Sequence, residues 1–267
     1  MNRPTLSRII RKVEFSMLNN FQPSPQTVLI NSIPKAGTHL MSSMLNEIPQ
    51  LSISLDLTDL DKLMNDDARL RLFKSKTKES TQGIWLGHIP YTKSIDQLLL
   101  ELNIPVIFIY RDPRDIVVSL LHYAIKNENH IYHEILREQD ASSALQTLIR
   151  GYGNGTHHYE LSHTSIPSLS NYVNAYSAWI DSKNCIAISY EDLMGINQDE
   201  NLDRLCNYLN LNRSVKKLLK RGIGNKASST LREGKIKTWT SEITNDAQKE
   251  INAQAWTDSS LKTFFHG

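Results

Sequence analysis

The stretch Thr27-Val-Leu-Ile-Asn-Ser-Ile-Pro-Lys-Ala-Gly-Thr-His-Leu-Met41 constrains the fold more than any other part of the chain. It opens as an apolar, β-branched run, breaks at Pro34 and resumes as helix-compatible sequence through Leu45. A short apolar run without alternation predicts a strand covered on both faces. A strand that turns sharply into a helix leaves backbone N–H groups unpaired at the helix start, and these attract anions. Gly37 lets the backbone approach a ligand, Lys35 adds a mobile positive charge and Thr38 adds a hydroxyl. The turn reads as a cradle for phosphate or sulfate. It is not the nucleotide triphosphatase loop, which carries its Lys and Ser/Thr after a second glycine; here Lys35 precedes the only glycine of the turn. Taken alone, an ordinary β–α connection with Gly37 serving only the turn explains the segment equally well.

The same rhythm recurs downstream. Apolar runs at Val28–Ser32, Ile84–Gly87, Pro105–Tyr110 and Cys185–Tyr190 predict strands, and Gly37–Glu47, Thr58–Leu72, Ser94–Leu102, Asp112–Lys126 and Ser168–Ser182 predict helices. This alternation predicts an α/β fold, a three-layer, doubly wound and mostly parallel sheet. A length of 267 residues suits one domain. We divide the chain into a polar lead-in with a short basic helix, residues 1–26, and a single domain, residues 27–267. Within that domain residues 127–167, rich in His, Tyr, Gly and polar side chains, read as an insertion or lid.

Composition removes several function classes. A formal net charge of +2 argues against a general nucleic-acid or membrane-surface binder, so any basic residues that matter must be concentrated locally. Cys185 and Cys206 are too few for a disulfide scaffold and read as reduced core residues. No apolar run is long enough for a signal segment or a membrane span, and a cytoplasmic protein is expected.

A second buried strand runs into a helix at Pro105-Val-Ile-Phe-Ile-Tyr-Arg-Asp-Pro-Arg-Asp-Ile-Val-Val-Ser119. Asp112 fits the N-cap and Pro113 the first helical position. Arg111 at the strand end and Ser119 two turns into the helix can reach one phosphate, the Arg as a fork and the Ser as a donor. The competing reading pairs Arg111 with Asp115 and leaves Ser119 filling a packing gap.

The two turns in succession resemble the sulfotransferases that use 3′-phosphoadenosine 5′-phosphosulfate (PAPS). Gly87-His-Ile-Pro90 is similar to that family's His-x-Pro segment, Ser189-Tyr-Glu-Asp-Leu193 to its Tyr-Glu-Asp strand end, and Arg232-Glu-Gly-Lys-Ile-Lys-Thr-Trp239 to its late Arg-x-Gly loop. Five segments in order span roughly residues 27 to 240. The resemblance implies a P-loop-like sulfotransferase fold, PAPS as donor and the bisphosphate PAP as product, without a metal. It implies cofactor binding by Pro34, Lys35, Ala36, Gly37, Thr38 and His39 at the 5′-phosphosulfate, and by Arg111, Ser119, Arg232, Glu233 and Gly234 at the 3′-phosphate, with Tyr190 near the adenine. It implies His88 as general base, Lys35 as the catalytic cation, and His88 with Tyr123 in the acceptor pocket, near which the 127–167 insertion would lie.

Three positions depart from the family's cytosolic animal branch. Leu40 stands where that branch stacks a Trp on adenine, Leu86 where it has a Lys two residues before the His, and Thr240 where a Lys follows the late Trp. A distant branch is implied. Without a membrane span, the expected acceptor is a small soluble molecule receiving sulfonate on a hydroxyl or amine. Asp56, Asp59, Asp61, Asp66 and Asp67 fall where the family has a loop at the pocket mouth; they either favour a polar or cationic natural product or serve as helix caps on a solvated acidic face. No nucleic-acid or membrane partner is expected, and a homodimer is left open. A P-loop kinase of a nucleotide or small molecule, or a non-catalytic nucleotide-binding protein, are the alternatives; the first needs a Gly-Lys-Ser/Thr loop and the second has no use for His88.

Overall fold

The computed structural model describes residues 6–20, 23–62, 65–78, 80, 82–153, 165–224, 236–262 and 264. Among these, the chain runs α1 (Leu6–Leu18), β1 (Thr27–Ser32), α2 (Thr38–Leu45), β2 (Ile53–Leu57), α3 (Asp66–Lys78), β3 (Gly83–Gly87), α4 (Lys93–Glu101), β4 (Val106–Tyr110) and α5 (Pro113–Lys126). It continues through α6 (His133–Leu136), α7 (Ala141–Arg150), α8 (Leu169–Ser177), β5 (Cys185–Ser189), α9 (Tyr190–Met194), α10 (Gln198–Tyr208), α11 (Lys216–Gly224), α12 (Asn245–Ala253) and α13 (Ser259–Lys262). The strands form one sheet of order β2-β3-β1-β4-β5, and every pair is parallel.

The unalternating apolar runs have the cause the sequence suggests: both faces of the sheet are covered. Leu29, Trp85, Val106 and Phe108 point into one core with side chains of α3, α4, α5, α7, α8 and α12. Their strand neighbours Val28, Ile30, Ile84, Ile107 and Ile109 point into the other, with Phe15 of α1 and side chains of α2, α10 and α11. Successive residues of a strand face opposite ways, so each must be apolar when both sides are buried. At Gly222 the helix α11 lies against α2 so closely that a Cβ would fall 2.4 Å from Met44 Cα.

Three elements differ from the sequence expectation. The strand β2 went unrecognised because it sits at the sheet edge, half exposed and interrupted by Ser54 and Asp56. The expected helix over 58–72 is a 3-10 turn, Thr58–Lys62, followed by α3, because the Asn65 side chain accepts from Ala68 N at 2.7 Å and starts the helix afresh. The helix α8 ends at Ser177, five residues early. Within 127–167, α7 packs Leu145, Leu148 and Ile149 into the first core, and Tyr152 pairs with Ile166 in an isolated antiparallel bridge. Neither Cys185 nor Cys206 forms a disulfide, and burial pushes both thiols up.

Candidate active site

The central strand β1 ends at Ser32, and the chain reverses through residues 33–37 into α2. Gly37 is the N-cap of α2 at φ 120°, and no side chain caps the helix, so its first N–H groups are directed at the cleft. A Cβ on Gly37 would come within 2.7 Å of Tyr190 Cδ2, so close packing and positive φ both require glycine. Lys35 holds φ 74°, a left-handed conformation that costs a non-glycine residue energy and marks the turn as constrained. Its ammonium lies 3.8 Å from the centroid of the Tyr123 ring. Burial, then the charge of Arg111, lowers its pKa to about 8. Pro34 is half-buried and Ala36 fully buried in the turn, with Ala36 N donating to Ile33 O. The Thr38 and Ser32 hydroxyls are hydrogen-bonded to each other. His39 is exposed, although surrounding protein and the Lys35 charge lower its pKa.

His88 follows the neighbouring strand β3. Its Nδ1 lies 3.1 Å from the Ser32 carbonyl oxygen and 3.2 Å from Ser32 Oγ. A carbonyl only accepts, so Nδ1 carries the proton and donates to it, leaving Nε2 as a free lone pair. Burial outweighs that carbonyl and lowers the His88 pKa to about 4, so the ring is neutral at physiological pH. Asn31 fixes the loop: its Oδ1 accepts from Ile89 N at 2.8 Å and its Nδ2 donates to Ile89 O at 3.0 Å. Trp179 Nε1 donates to the same carbonyl at 2.8 Å.

On the other side of β1, Arg111 directly follows β4. Asp112 caps α5 by accepting from Arg114 N at 2.9 Å, with Pro113 in the first turn, as the sequence predicts. The Arg111 guanidinium lies 4.3 Å from the Tyr190 ring centroid and donates to Lys35 O at 3.5 Å. Tyr190 is therefore buried between Arg111 and Gly37, 3% exposed. Arg111 also pairs with Asp115 at 3.4 Å, the competing partner considered above, and lies 4.0 Å from Glu191. Asp115 accepts from Lys237 N, Thr238 Oγ1 and Trp239 N at 2.9, 2.8 and 3.1 Å. Burial pushes Glu191 up to about 7, so it is partly protonated at neutral pH. Ser119 is half-buried on α5, and its hydroxyl makes no hydrogen bond among the described residues. Arg232, Glu233 and Gly234 lie outside the described residues; the segment 237–239 that follows them is held on α5 by Asp115.

The structure thus brings Lys35, Gly37, Thr38, His88, Arg111, Tyr123 and Tyr190 around the carboxyl ends of β1, β3 and β4, where open α/β sheets bind ligands. Asp56, at the end of β2, is close enough for its charge to act on both His88 and His39. Its carboxylate also accepts from Thr58 N and Oγ1, and Asp66 pairs with Arg69, so both aspartates serve local structure. Sequence reasoning missed Asn31; the signal was an amide inside an apolar, buried strand, which must find partners. Among the described residues no three His, Cys, Asp or Glu side chains group as metal ligands, and no helix is long and apolar enough to cross a membrane.

A parallel five-stranded sheet whose central strand feeds an uncapped, glycine-started helix defines the P-loop-like class of anion-binding α/β proteins. Residues 25–264 match the sulfotransferase domain family, and the chain belongs to that family. Its fold is similar to that of mouse sulfotransferase SULT7A1 complexed with PAP, at 17% identity and a TM-score of 0.61, covering 94% of this chain and 92% of that one. It is also similar to retinol dehydratase in complex with androsterone and inactive cofactor PAP, at 14% identity and a TM-score of 0.53, covering 90% and 82%. The complex of retinol dehydratase with retinol and PAP gives 15% identity and a TM-score of 0.52, covering 91% and 84%.

Proposed function

We propose that this sulfotransferase uses PAPS as donor and transfers the sulfonyl group to a hydroxyl or amine of a small acceptor. The observation that carries this reading is the meeting of three groups at the end of β1: the uncapped α2 start, the Lys35 ammonium and the neutral His88 imidazole. The residues fit the donor. The turn of Pro34, Lys35, Ala36, Gly37 and Thr38, with His39 beside it, presents N–H groups and positive charge suited to a 5′-phosphosulfate. Arg111 offers guanidinium N–H donors and Ser119 a hydroxyl that is unbonded among the described residues, both suited to a 3′-phosphate and joined by Arg232, Glu233 and Gly234 on the family pattern. Tyr190 supports the arginine and closes the turn.

PAPS, when bound, supplies a sulfonyl group on a phosphate leaving group, to be displaced in line. His88 Nε2 accepts the acceptor's proton, and the resulting imidazolium is oriented by the Ser32 carbonyl. Lys35, Thr38 and the turn N–H groups offset the negative charge that grows opposite the attacking atom. Tyr123 forms a wall of the acceptor pocket beside Lys35. Selection of the acceptor by charge rests on Asp56, whose field at His88 and His39 favours a cationic, amine- or guanidine-bearing molecule. Transfer of sulfur-labelled sulfonate from PAPS across paired amine and neutral acceptors tests both parts. His88→Ala should lower transfer by about 100-fold or more, and Asp56→Asn should reduce the preference for the amine. Full activity in His88→Ala would overturn the base assignment, and an unchanged preference in Asp56→Asn would overturn the acceptor class.

A further inference from the structure

The helix α1 has two faces of different character. On one, Phe15 is buried in the second core and Glu14 pairs with Arg221 at 2.7 Å, and just past the helix Asn19 Oδ1 accepts from Asn212 N at 2.7 Å. On the other, Ile9, Ile10, Val13 and Met17 are 45%, 57%, 51% and 67% exposed. At 100° per residue these four fall within an arc of about 100°, a continuous apolar stripe. They are four of the ten large hydrophobic side chains exposed among the described residues, and such a concentration marks an interaction surface.

Charge selects the partner. Lys12 is exposed beside the stripe and makes no ion pair among the described residues, whereas Arg11 falls on the Phe15 side of the helix. Lys217 of α11 is exposed and close enough to lower the Glu14 pKa. Glu14, the only acid of α1, is already held by Arg221. A second copy placed stripe to stripe would bring these cations together with no free carboxylate to offset them. An anionic lipid surface offers both an apolar layer for the stripe and negative charge for its rim.

We propose that α1 is a membrane-surface anchor, lying on anionic lipid with Ile9, Ile10, Val13 and Met17 inserted and Lys12 and Lys217 at the headgroups. The near-balanced net charge of the chain does not oppose this, because the cations are local. Cosedimentation of the full chain with phosphatidylcholine vesicles, with and without phosphatidylserine, tests it. Binding should require phosphatidylserine and weaken with salt. Ile10→Glu/Val13→Glu should abolish it, and Lys12→Glu/Lys217→Glu should weaken it by at least about 20-fold, each with an unchanged thermal midpoint because the altered side chains are exposed. Three results would overturn the proposal: no binding to either vesicle at low salt, equal binding by both variants, or a dimer in sedimentation velocity that Ile10→Glu/Val13→Glu dissociates without any vesicle binding.

Discussion

Lys35 and His88 must hold opposite protonation states for the proposed chemistry. His88 works as a base only when neutral, and burial lowers its pKa to about 4, so the competent form predominates above that value. Lys35 works only when charged, and burial beside Arg111 lowers it to about 8, so the competent form predominates below that value. We expect kcat/KM to rise through an acid limb near the first value and fall through an alkaline limb near the second. The alkaline limb of kcat should lie higher, because a bound anion stabilises the ammonium. Lys35→Arg should move it out of range. An acid limb at the ordinary histidine value of about 6.5 would contradict the burial of His88. Residues of this kind were legible in the sequence because their chemistry is carried by adjacent positions, as in Pro34 to Thr38 and Gly87 to Pro90. Asn31 was not, since its partner Ile89 is 58 residues away and only the folded sheet brings β1 and β3 side by side.

Elements were legible in proportion to their burial. The strands β1, β3 and β4 are almost wholly covered, and their apolar runs announce them; β2 is half exposed at the edge and carries no such run. Caps decide the helices: Asp112 and Pro113 mark the start of α5 at the expected place, whereas the Asn65 cap divides a helix that hydrophobic spacing alone joins. Between elements, Asp115 has the largest consequence. Its buried carboxylate ties residues 237–239 to α5 and faces Arg111, joining the late loop to the arginine proposed to bind phosphate. Asp115→Ala leaves those donors unpaired and should destabilise the protein by about 3 kcal/mol. It should also weaken PAP binding beyond that seen for an exposed control such as Asp246→Ala. Chemical denaturation and calorimetry on the two variants measure both effects, and an Asp115→Ala protein of unchanged stability would contradict the tethering role.

At the scale of the whole molecule, the parallel sheet sets the site at the carboxyl ends of its central strands, where the order turns from β1 to β3 on one side and to β4 on the other. One neighbour delivers His88 and the other Arg111, with the cradle between them. That division was readable as a series of motifs, but the order of the strands was not, because no local pattern specifies which strand lies beside which. On the proposed reading, the cradle and Arg111 together take a nucleotide carrying phosphate on both sides of its ribose. Calorimetry against 3′,5′-adenosine bisphosphate and against ATP with magnesium tests this reading directly. The account predicts tight binding of the bisphosphate in the presence of a chelator, weakened about 10-fold or more in Arg111→Ala. Binding of ATP with magnesium, and none of the bisphosphate, would contradict it.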